Sequence, residues 1–140
     1  MTIARFALQP APNPAMDAYQ AGGCNIGPAE IARRRIAGHL GLAAALVALA
    51  VLLVIDAPAW TRVIIALPAA GAASGYLQAW LTFCAGFGAR GVYNFGPLGG
   101  RSEVVDDEAR ARDRRKAREI GLAALGIGLV CGVVAVLLPI

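Results

Sequence analysis

A chain of 140 residues that is 58% hydrophobic and only 16% charged cannot hide its apolar surface in a water-soluble domain, because small domains have too little interior. Lipid is the better solvent for it. The net charge of +4 does not mark a nucleic-acid binder, since the bases flank apolar runs where lipid headgroups lie, and no zinc-finger spacing or aromatic RNA-binding motif accompanies them.

Residues 1–27 come first. They are proline- and glycine-rich (Pro10, Pro12, Pro14, Gly22, Gly23) and lack the continuous apolar stretch of a signal peptide. A flexible cytoplasmic tail, ordered only against a partner, is the expectation. Gly27-Pro28 then opens a helix, with proline where no backbone donor is needed and Glu30 in the first turn, where negative charge suits the helix dipole. Arg33, Arg34 and Arg35 mark a membrane surface, and the first span is predicted over 36–55. About 20 residues rising about 1.5 Å each cover roughly 30 Å, the thickness of a bilayer core.

A short turn carrying Trp60 and Arg62 leads to a second span, predicted over 63–85. It holds Pro68, Gly71, Ser74, Gly75, Tyr76 and Gln78, so it belongs against protein rather than lipid, with a kink or loosened turn at Pro68. The cytoplasmic loop 86–119 starts as a Gly-rich, mostly non-helical connector. From Ser102 it becomes a charged helix, with Asp106 paired to Arg110 and Glu108 to Arg112 at the favourable spacing of four. This helix is expected to run unbroken into a third span over 120–138. Of the 13 Lys and Arg residues, all but Arg62 fall before Ile36 or between Gly86 and Glu119. Two spans separate those segments, so they share a side, and the positive-inside rule makes it the cytoplasm. The expected fold is thus an all-α membrane protein with three transmembrane helices in a 28–140 membrane domain. A composition heavy in Ala, Gly and Arg suits a GC-rich bacterial genome, hence a bacterial inner membrane.

No residue set defines an enzyme. Cys24 and Cys84 fall near the same interface, each flanked by glycines that let backbone approach closely. They suit soft-metal binding, thiol redox chemistry or acylation; the plain alternative is small apolar packing. Cys131 is expected to pack mid-membrane. His39, the only histidine, sits about one turn inside the first span, where an imidazole is costly unless it faces protein, water or a cofactor. It is a candidate haem or pigment ligand, or a packed interfacial side chain. Gly71/Gly75 and Gly128/Gly132 form GxxxG stripes on which another helix can lie. Arg33, Arg34, Arg35, Arg90, Tyr93 and Asn94 are candidate contacts to headgroups or a partner. The expected role is an accessory or assembly subunit of a larger membrane complex, with the bilayer and other subunits (or a second copy) as partners. The Cys24/Cys84 thiol site stands as the alternative, and haem or pigment binding through His39 as a third.

Overall fold

The computed structural model describes residues 19–140; the proline-rich segment of the expected tail lies outside them. Helix α1 spans Pro28–Val54, with its proline in the first turn. Asp56, at φ 52°, reverses the chain. A 3₁₀ segment, Ala59–Ile65, continues directly into α2, Ala66–Trp80. The loosened turn expected at Pro68 therefore takes the form of a tighter helix just before it. The second apolar helix runs over Ala59–Trp80, about a turn earlier than predicted, because Thr82, at φ 53°, breaks it before Cys84.

The connector departs further from expectation. Ala85–Arg90 forms a short helix, α3, closed by Gly91 in the left-handed conformation. Strands β1 (Val92–Tyr93) and β2 (Ser102–Glu103) then pair antiparallel. Helix α4 spans Asp107–Leu137, so the charged helix does run unbroken into the third apolar stretch, but it starts after Ser102. Asp106 caps it, accepting from the Ala109 backbone N–H at 3.0 Å. That role replaces the expected pair with Arg110, whose Nε donates to the Val104 carbonyl instead. Glu108 and Arg112 do pair, at 2.7 Å.

Three helices are long and apolar enough to cross a membrane: α1, the second helix from Ala59 to Trp80, and α4. Only 11%, 22% and 28% of their most apolar windows are buried, so most of that surface faces outward. Trp60 and Trp80, 71% and 81% exposed, bracket the second helix. Their separation of roughly 30 Å matches a hydrocarbon core with an aromatic at each rim.

Helix α2 lies between the other two. A side chain at Gly41 would fall 2.5 Å from the Ala72 backbone nitrogen, one at Gly38 would strike the Tyr76 ring, and one at Gly75 would strike Gly38. On its other side Gly128 and Gly132 admit Ala66 and Ala70. Gly75, Gly128 and Gly132 are thus real contact points. Gly71 is not one among the described residues, since beyond its own stretch of helix no described atom lies within 4 Å of where its side chain would begin. Cys131 is exposed on α4 rather than packed, because a residue next to Gly132 points away from the face that Gly132 buries.

At the end remote from the arginine cluster, Arg62 is 6% exposed. Its guanidinium donates to the Leu138 carbonyl at 3.1 Å and to Ile140. It also reaches the Ala135 carbonyl at 3.5 Å, one of the last in α4, which have no partner within the helix and carry the negative end of its dipole.

Candidate functional site

The charged end holds a layer of buried polar groups. Gln20 and Cys24 exchange backbone hydrogen bonds across a tight turn, with Gly22 at φ 68°. The following backbone pairs with the connector: Asn94 N–H donates to the Asn25 carbonyl at 3.0 Å, and Gly27 N–H to the Asn94 carbonyl at 2.9 Å. A side chain at Gly27 would meet the Phe95 backbone at 2.7 Å. The described part of the expected tail is therefore built into the fold, since its backbone finds partners in the connector.

Asn25 is fully buried. Its amide accepts from the Cys84 N–H at 2.6 Å and donates to the Cys84 carbonyl at 3.1 Å, as a neighbouring strand would. Gln78 acts similarly one turn away. Its Nε2 donates to the Ser74 hydroxyl at 2.8 Å, and its Oε1 accepts from the Ala85 N–H at 2.9 Å. These two amides hold the corner between α2 and α3 on which Cys84 sits.

The sulfur of Cys84 accepts from an Arg34 guanidinium nitrogen at 2.8 Å. The same nitrogen lies 3.8 Å from the buried Glu30 carboxylate, which also accepts from the Asn94 amide at 3.3 Å. Arg34 Nε and Glu30 Oε2 are buried without hydrogen-bond partners among the described residues. Cys24 is also buried, its sulfur 3.8 Å from the Ile26 carbonyl. The two cysteines thus belong to one layer, joined by the Asn25 amide. Among the described residues, no group of three or more His, Cys, Asp or Glu side chains gathers as a metal site would require.

Beside Cys84 opens a cavity of about 550 Å³ whose wall includes Arg33, Arg34, Arg90 and Arg101. No Asp or Glu appears among the described residues that line it. The candidates are thereby divided. Arg33, Arg34 and Arg90 meet at this cavity. Asn94 supports Glu30 from behind, and Tyr93 stacks on Tyr19 with ring centroids 5.0 Å apart. Arg35 is exposed outside the cavity. His39 is exposed on α1, and its Nδ1 lies 2.6 Å from the Tyr76 hydroxyl.

No protein-family model, curated protein or solved structure matches this chain. What the arrangement can do therefore follows from its chemistry alone.

Sequence reasoning missed Asp113, which is fully buried and accepts from the Tyr19 hydroxyl at 2.7 Å and the Gly22 N–H at 2.7 Å. A lone acid between Arg112 and Arg114 was its only trace. From the sequence, Arg101 reads with Arg90 as a loop contact to lipid phosphates or a partner, with no sign of the cavity that they share with Arg33 and Arg34.

Proposed function

We propose that this chain is a multi-pass protein of the bacterial cytoplasmic membrane, with its N-terminus and charged layer in the cytoplasm, serving as an accessory or assembly subunit of a larger membrane complex such as an energy-converting one. The observation that carries this reading is a set of glycines with nothing to pack against. Gly71, Gly121 and Gly126 lie in the apolar helices, and no atom of the described chain lies within 4 Å of where their side chains would begin. Each costs a helix roughly 0.5–1 kcal/mol relative to alanine, and no close contact with another part of the described chain compensates. Such positions favour the approach of a helix from another subunit. Purification in a mild detergent should recover unlike membrane partners, and Gly71→Leu with Gly126→Leu should release them without altering the stability of the chain itself. A lone monomer from wild-type membranes would refute the reading.

A second reading is favoured by the Arg34–Cys84 contact, a cation set against sulfur. It makes the Cys24/Cys84 layer a site for soft-metal binding or thiol redox chemistry. Bound metal or reversible oxidation in wild-type protein, absent from Cys24→Ser/Cys84→Ser, supports it; equal results in both eliminate it. A third reading, haem or pigment binding at His39, draws on the Tyr76 hydroxyl, since a partner on one ring nitrogen orients the imidazole as in ligating histidines. A colourless preparation that stays colourless on haem addition removes it.

A further inference from the structure

We infer that the arginine-lined cavity beside Cys84 is a binding site for a phosphate ester, held at the level where phospholipid headgroups lie. The inference rests on the membrane reading for that level, but its chemistry comes from the cavity. Four guanidinium groups, those of Arg33, Arg34, Arg90 and Arg101, share a space of about 550 Å³, with no carboxylate among its described lining residues. Among the described residues, the side chains of Arg33, Arg90 and Arg101 enter no hydrogen bond or ion pair with the protein. Only Arg34 is engaged, by the Cys84 sulfur and the Glu30 carboxylate, and its Nε–H lies buried with no acceptor.

Like charges gathered in this way repel one another unless an anion joins them. Planar guanidinium forks match the oxygens of a phosphate better than any other common biological anion except a carboxylate. The cavity is also rigid on one wall. Asn25 and Gln78 lock the Cys84–Ala85 corner through three hydrogen bonds from or to its backbone, the two of Asn25 and one of Gln78, so the floor of the space on which Arg34 sits is preformed.

A second cavity of about 520 Å³ adjoins the first, sharing Ala85 in its wall. Arg114 and Arg118 of α4 stand there beside the apolar side chains of Ala89 and Ala117. A charged cavity next to a cleft with apolar walls suits an amphiphile: the phosphate in the first, the glycerol and upper acyl carbons over the second. A soluble phosphate ester would use the first alone.

The test uses full-length protein in a neutral detergent. Thermal unfolding is followed during titration with micelles containing an anionic phospholipid, with micelles containing only zwitterionic lipid, and with soluble glycerol phosphate. Saturable stabilisation by the anionic lipid supports a lipid occupant; saturation by glycerol phosphate supports a soluble one. In either case the apparent affinity should fall at least about tenfold in Arg90→Gln/Arg101→Gln, as expected for the loss of charge-assisted hydrogen bonds. These two arginines are exposed and their charges repel the others in the cavity, so without ligand the variant should unfold at or slightly above the wild-type temperature. Arg35→Gln, outside the cavity, should keep the wild-type affinity. No stabilisation by either ligand, or equal weakening in the Arg35 and Arg90/Arg101 variants, overturns the inference. A chain recovered in the soluble fraction of lysed cells would instead refute the membrane reading and leave the glycerol phosphate arm standing.

Discussion

Asn25 shows how much one side chain settles. Its amide accepts from the Cys84 N–H and donates to the Cys84 carbonyl within the buried layer that shapes the cavity. Asn25→Ala leaves the buried Cys84 N–H unmet, while the Cys84 carbonyl keeps its bond from the Gly88 N–H, so it should lower stability by about 1–3 kcal/mol; equilibrium unfolding in detergent measures this. Tyr19 offers a pH signature. Burial first, then its hydrogen bond to Asp113 and that carboxylate's charge, push its phenol above the ordinary range. A group whose folded value is raised contributes stability at pH values below its unfolded value, about 10, and loses it as pH climbs further. Stability should therefore drop more steeply above about pH 10 in the wild type than in Tyr19→Phe. Identical slopes would mean that Tyr19 does not couple to folding.

At the scale of helices, contact is decided by which residues have no side chain at the crossing. Gly75→Leu would drive carbon into the α1 backbone at Gly38, a clash that no rotamer relieves, and should cost at least about 3 kcal/mol. Gly71→Ala, one turn away on the same helix, should be neutral or stabilising by up to about 1 kcal/mol in the isolated chain. A thermal-shift comparison of the two separates the packed stripe from the open one. The start of α4 depends on a cap, and Asp106→Ala should cost about 1 kcal/mol, seen as earlier loss of helical ellipticity on heating.

For the whole molecule, the decisive property is how the apolar surface is distributed. Helix faces crowded with exposed Leu, Ile and Val lie between two tryptophan-marked rims, and the arginines gather beyond one of them. Alkaline extraction of membranes should leave the protein in the pellet. In intact cells a membrane-impermeant maleimide should label Ala59→Cys, at the start of the second apolar helix, and spare Glu103→Cys in β2. The opposite pattern would invert the proposed orientation.

The three apolar helices could be read from the sequence because length and hydropathy are properties of consecutive residues. The register of the second helix could not, since the corner after Leu81 is held by Asn25, 59 residues away, capturing the Cys84 peptide groups. The cavity is a still longer-range product. Arg33 and Arg34 lie more than fifty residues from Arg90 and Arg101. Pattern alone showed them as separate membrane-surface markers, and only the packing of α1, α2 and α3 gathers them around one space. Local periodicity dictates which segments prefer lipid; which charges meet is decided where distant backbones satisfy one another's hydrogen bonds.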